Sequence, residues 1–165
     1  MSGNRRRSFE AGHRPKFLVV ADDSAECGRA IHFAARRASR IGAGIIMLAI
    51  ADPGDFQHWL GVGDVMKAEA EDKAADLLER HASIGRTIAG IEPERVVRSG
   101  NKAEAIRALI EEDADISFLV LAAGTSAEGP GPLVSLLVGK ASGSFPIPVV
   151  IVPGGLTDAE IDALA

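Results

Sequence analysis

The sequence predicts an α/β domain, a single five-stranded parallel sheet with helices on both faces. Three observations carry that prediction. Short continuous apolar runs alternate with amphipathic stretches long enough to be crossover helices, in the order β, α, β, α, β, α, β, α, β. Such alternation implies parallel strands joined by right-handed connections. Ala, Val, Ile and Leu dominate the apolar positions while aromatics amount to 4% and Tyr is absent, which suits strands buried on both faces under alanine-rich helices. Finally, residues 119 to 152, LVLAAGTSAEGPGPLVSLLVGKASGSFPIPVVIV, read as a strand, a glycine-rich loop, a short apolar helix and a strand. In open α/β sheets, phosphates and nucleotides are held where such a loop enters a helix N-terminus.

Taken in order, the first strand is Lys16 to Ala21, KFLVVA, ending in Asp22, Asp23 and Ser24. Asp23 with Glu26 three residues on reads as a capping-box variant, so a helix is expected to start there. Cys27, Ala30, Ile31, Ala34, Ala35, Ala38 and Ile41 fall on one face of it, and Arg29, Arg36, Arg37 and Arg40 on the other. Gly42 and Gly44 end it. The second strand is Ile45 to Ala51, IIMLAIA. The segment after it contains DFQHWLGVG and the only tryptophan, Trp59; it reads either as a loop packed on the body or as a flap over a ligand.

A long amphipathic helix is expected from about Asp64 to Gly85, with Val65, Met66, Ala70, Ala74, Leu77 and Leu78 inward. Glu94 to Ser99, ERVVRS, is a short third strand whose mixed pattern suits a sheet edge. A helix from Lys102 to about Asp113, strands at Ile116 to Ala122 and Pro148 to Val152, and a small C-terminal helix complete the list. That last helix has Thr157 and Glu160 as a capping box, with Leu156 and Ile161 spaced as its hydrophobic staple. The expected organisation is a disordered basic tail over residues 1–15, one domain over 16–153, and a helical appendage over 154–165 docked on its own body or on a partner.

At 165 residues the chain has room for one ordinary core. Residues 1–16 carry five Lys or Arg against Glu10, +4, leaving −9 for the rest of a chain of net charge −5. An acidic body argues against nucleic acid as the main partner. No apolar run approaches the roughly 20 residues of a membrane span, and the N-terminus lacks the apolar centre of a secretory signal, so a cytoplasmic protein is expected. Cys27 is alone, which rules out an internal disulfide framework. It lies near a helix N-terminus, where a thiol can be activated, yet falls on the apolar face, which favours buried filler. The four His show no metal-ligand spacing, and GKAS at Gly139 to Ser142 lacks the residues of a P-loop.

The first strand ending in Asp22, Asp23 and Ser24, the segment VVRSGNKAEAIRALIEEDADISFLVLAAGT and the closing PVVIVP at Pro148 to Pro153 occur in a characteristic order and spacing. In these the chain resembles the universal stress protein family over nearly everything after the tail. The resemblance implies a Rossmann-like, adenine nucleotide alpha hydrolase-like fold with strand order 3-2-1-4-5 and a homodimer joined through the last strand. Some members bind ATP through G-x-x-G-x9-G-S/T between strand four and the next helix. Here Gly124 stands for the first glycine, but Ala127 occupies the second position. Gly129 and Gly139 have the required spacing, yet Lys140 replaces the Ser or Thr; counting back from Pro148 instead puts Ser135 and Leu136 at the final Gly-Ser pair. Either alignment leaves the motif broken.

In the functional reading, backbone N–H groups of Gly124, Thr125, Ser126, Gly129 and Gly131 form an anion nest at a helix N-terminus. By the resemblance, Asp22 contacts the ribose or base. The expected nucleotide-binding set is Asp22, Asp23, Ser24, Gly124, Thr125, Ser126, Gly129, Gly131 and Ser135. Against phosphate binding stand Pro130 and Pro132, which carry no N–H, and Glu128, Asp22 and Asp23, which add negative charge. Lys140 is the nearby cation, and Mg²⁺ held by Asp22 or Asp23 would soften the repulsion. With no ligand, the same glycines and prolines would simply form a rigid strand-to-helix connection. The resulting expectation is a stress-response binding or regulatory module, not a dedicated enzyme, with weak or absent binding of ATP or AMP. One alternative is an ATP-binding member with slow hydrolysis. The other is a ligand-free dimeric interaction module with unknown protein partners.

Overall fold

The computed structural model describes residues 5–51, 63–139 and 142–165. Strands β1 (Lys16–Val20), β2 (Gly44–Ala51), β3 (Glu94–Ser99), β4 (Ile116–Ala123) and β5 (Val149–Pro153) alternate with helices α1 (Cys27–Ile41), α2 (Gly63–Ala89), α3 (Lys102–Glu112), α4 (Pro132–Val138) and α5 (Asp158–Leu164). The strands form one sheet in the order β3-β2-β1-β4-β5, and every neighbouring pair is parallel. Among the described residues no helix is long and apolar enough to cross a membrane.

Period-two alternation along the central strands divides the core into two layers. Phe17, Val19, Ile45, Met47 and Val120 face α1, α2 and α5. Leu18, Val20, Ile46, Leu48, Leu119 and Leu121 face α3 and α4. The alanines of α1 explain how closely it lies on the sheet: Ala30, Ala34, Ala35 and Ala38 are all buried, around the fully buried Ile31. Gly42, at φ 71°, closes this helix by donating its N–H to Ala38 O, the left-handed conformation that glycine takes without a Cβ penalty. β3 is the edge strand its mixed pattern predicts, with both ends exposed.

Several expectations are corrected. α1 does not start at Asp23: its N-cap is Glu26, which makes no side-chain capping bond, because Asp22 has already organised the preceding turn by accepting from Ser24 N–H at 2.9 Å. Val65 is not inward but 59% exposed. The 27 residues of α2 make it about 40 Å long at 1.5 Å per residue, and most of its first two turns is exposed. Ile41 is likewise half-exposed.

The described part of the N-terminal segment, residues 5–15, is not loose. Arg7 N–H donates to Ala114 O and Lys16 N–H to Asp115 O. Arg6 Nη1 donates to Ile110 O at 2.7 Å and Asp113 O at 3.0 Å. Ser8 is buried and donates to Asp115 O. The physical reason is the C-terminus of α3, whose final carbonyls need donors. The basic segment supplies them. Trp59 and its surrounding loop, and Lys140, lie outside the described residues.

Candidate functional site

The C-terminal ends of β1 and β4 part at the point where strand order reverses, the place where open α/β sheets bind ligands. Beside that point, over the C-terminal ends of β1 and β2, a cavity of about 350 Å³ opens. Val20, Ala21 and residues Ala49 to Ala51 form its floor, Ala70, Ala74 and Leu77 of α2 one wall, and Leu133 of α4 the other. Its charged lining is Asp22 and Asp23 from the β1 turn, Lys73 and Arg80 from α2, and Lys102 from the start of α3. Among the described residues none of these three cations carries a salt bridge.

The β1 turn is held from several sides. Asp22 Oδ1 accepts from both the N–H and the hydroxyl of Ser24, so Ser24 is engaged and Oδ2 of Asp22 is the atom left for a ligand. Asp22 N–H donates to Cys27 Sγ at 3.5 Å, and that thiol donates to Val20 O. Burial pushes the Cys27 thiol up to about 12, the reverse of an activated nucleophile. His81, which the sequence did not single out, donates from Nε2 to Asp22 O at 3.0 Å. Its Nδ1 is buried with no partner among the described residues.

The glycine loop is folded on itself. Gly124 N–H donates to Pro130 O at 3.0 Å and Gly129 N–H to Ser126 O at 3.1 Å. Two of the five expected donors are thereby used. Gly129 and Gly131 have φ of 103° and 106°, conformations an L side chain resists, so the loop's shape depends on both.

The carboxylate of Glu26 lies against this loop. Its Oε1 lies 3.1 Å from where a Gly124 Cβ would be and 3.9 Å from that of Gly131, while its own Cβ lies 3.0 Å from that of Gly154. Gly124 and Gly154 thus make room for one acidic side chain, and Gly131 borders it. Beside it remains a space of only about 70 Å³, lined by Asp22, Ser24, Glu26, Gly131, Pro132 and others.

Of the expected set, Asp22 and Asp23 line the large cavity, and Asp22, Ser24 and Gly131 line the small one. Gly124 borders Glu26. Thr125, Ser126 and Ser135 are exposed and Gly129 is engaged within the loop, so none of these four lines either cavity. Lys73, Arg80 and Lys102 escaped notice because their helical positions are indistinguishable from ordinary solvated charges until the helices are placed. Glu26 stood out only as the expected capping-box partner of Asp23, a role it does not take, since it is the N-cap of α1 and makes no side-chain capping bond. No group of three His, Cys, Asp or Glu is arranged to hold a metal among the described residues. Asp22 Oδ2 and Asp23 could supply an ion with at most two carboxylates, which fits a Mg²⁺ that keeps its waters and leans on substrate phosphates.

A family model described as "Universal stress protein family" matches residues 13–153. None of the curated proteins matched the chain by sequence. Among solved structures, the universal stress protein UspA from Lactobacillus plantarum is 19% identical, with TM-score 0.67 over 84% of this chain and 97% of that one. A universal stress protein in complex with cAMP is 19% identical, TM-score 0.59, over 84% and 96%. The universal stress protein from Archaeoglobus fulgidus in complex with dAMP is 18% identical, TM-score 0.56, over 84% and 96%.

Proposed function

The chain belongs to the universal stress protein family, and from that premise we propose that it is a cytoplasmic regulatory module of the stress response that holds an adenine nucleotide loosely in the crevice beside β1. The observation that carries this is the cavity of about 350 Å³ over the C-terminal ends of β1 and β2, next to the sheet's reversal point, with Asp22 and three cations in its lining. Structural neighbours in complex with cAMP and dAMP support the ligand class. In this reading Asp22 Oδ2 accepts a hydroxyl from the ribose, Val20, Ala51 and Leu77 offer the base an apolar bed, and a cation of the wall meets phosphate. With Mg²⁺, Asp22 and Asp23 would share the ion. In this reading the module binds its ligand and is not a dedicated enzyme.

The same reading includes a homodimer through β5. This strand is a sheet edge, and an unpaired apolar edge invites a partner strand. Beside it lies an apolar hollow of about 300 Å³ lined by Phe17, Phe33, Ile41, Phe118, Val150 and Leu164. A second reading, a module without any ligand, draws on the Glu26 carboxylate against the glycine loop.

Native mass spectrometry before and after addition of AMP, cAMP or ATP with Mg²⁺ decides between them. One nucleotide mass per subunit is expected, and Asp22→Ala is expected to lose it. A protein that stays unliganded with all three at millimolar concentration would overturn the nucleotide reading and leave the interaction module.

A further inference from the structure

We propose that the crevice is selective for nucleotides with a single phosphate, and that Glu26 is the residue that sets this limit by placing its own carboxylate against the glycine loop. The inference rests on the nucleotide reading above and adds to it a ligand class and a specificity-determining residue.

A strand-to-helix glycine loop binds phosphate because its N–H groups converge on a space where backbone can approach closely. Here a carboxylate stands against that loop. Glu26 Oε1 lies 3.1 Å from the Cβ position of Gly124 and 3.9 Å from that of Gly131, and the Gly124 N–H is turned to Pro130 O. Pro130 and Pro132 have no N–H to offer. Gly154 fixes the intruder from behind, since its missing Cβ would stand 3.0 Å from that of Glu26. A phosphate entering the loop would displace or confront a carboxylate at contact distance.

The large cavity has the opposite balance. Lys73, Arg80 and Lys102 face Asp22 and Asp23 across it, a surplus of one positive charge among the described lining residues. That surplus suits one phosphate group. A second and third phosphate would have to leave Lys73 and Arg80 and run toward the small cavity, where the described charged lining is Asp22 and Glu26 against Lys102 alone, so each added negative charge meets a net negative surface.

The test is a titration series by isothermal calorimetry, without metal, of adenosine, AMP, ADP and ATP against the intact chain. Affinity is expected to rise from adenosine to AMP and to fall for ADP and ATP, with AMP ahead of ATP on the order of tenfold, the scale of one partly screened charge contact. Glu26→Gln, which keeps the shape and removes the charge, is expected to raise ATP affinity on the order of tenfold and leave AMP within about twofold. Lys102→Met is expected to weaken AMP and leave adenosine unchanged. Affinity that increases with every added phosphate, or a Glu26→Gln variant that shifts AMP and ATP alike, would overturn the selectivity while the nucleotide reading stood. If none of the four ligands binds at millimolar concentration, the nucleotide reading itself fails. The series on the unaltered chain decides even if a variant does not fold.

Discussion

Gly154 shows how much one missing methyl group can matter. A Cβ there would stand 2.4 Å from Ala123 O, a backbone atom fixed by the bond it accepts from Gly154 N–H at 2.8 Å. Gly154→Ala must push β5 away from β4, and a loss of about 1–3 kcal/mol is expected, visible as a lower urea midpoint with an unchanged slope. Cys27 makes a second residue-scale prediction, with a pH dependence. Burial holds its folded-state value at about 12 against an ordinary 9.0, so between those values the unfolded chain has lost a proton that the folded chain keeps. Stability therefore falls as pH rises through that window. The difference in stability between the wild type and Cys27→Ala should shrink or reverse from about pH 8 to pH 11. In the native state at pH 8 the thiol should not react with a disulfide reagent, and it should react fully in urea.

At the scale of elements, two terminal pieces are held by polar ladders over small apolar contacts. α5 opens with the Thr157–Glu160 capping box and buries Ile161 completely. Arg29 binds Asp158 at 2.6 Å, His32 and Arg36 bind Asp162 at 2.8 and 2.9 Å, and Arg40 donates to Ala165 O. The polar face of α1 is thus a docking surface. Arg29 lowers the Asp158 carboxyl, and His32 with Arg36 lowers that of Asp162. Folded values below unfolded ones mean stabilisation that is full above the ordinary carboxylate range, about 3.9, and lost as pH falls through the folded values. An NMR titration from about pH 6 to pH 2.5 should show α5 amides moving only below about pH 4, and the paired change of Asp158 and Asp162 to Asn should flatten that response. At the other terminus, Arg6 closes α3 by donating to Ile110 O and Asp113 O. Arg6→Ala is expected to cost about 1.5–3 kcal/mol, the range for charged hydrogen bonds, with faster amide exchange near Asp113.

For the whole molecule, the two sheet edges differ in character. β3 is short, charged and tied by Arg95 and Arg98 to Glu92 and Glu112, the features that discourage edge pairing. β5 reads VVIVP and has only Pro153 as a guard. Sedimentation at tens of micromolar is expected to find a dimer. Charge at Val150, by Val150→Lys, is expected to shift it to monomer with little loss of fold, because that side chain is only partly buried. A monomeric wild type would remove β5 as the interface.

What the sequence alone determined is the architecture. Each central strand is a continuous apolar run and each helix has its own period, so order, type and near-correct bounds follow from local patterns; β3 at the edge follows from the mixed run ERVVRS. The Thr157–Glu160 box was legible because its two bonds span three residues. Tertiary structure alone decided everything that depends on distance along the chain. Arg6 meets Ile110 across 104 residues and Arg29 meets Asp158 across 129, so a segment that looks like a solvated tail and a face that looks like solvated arginines become partners of helix ends. The candidate site follows the same logic. Asp22 and the glycine loop stand out locally, but whether that loop is open or faced by a carboxylate depends on Glu26, a side chain from the far side of the sheet's reversal point, and only packing brings the two together.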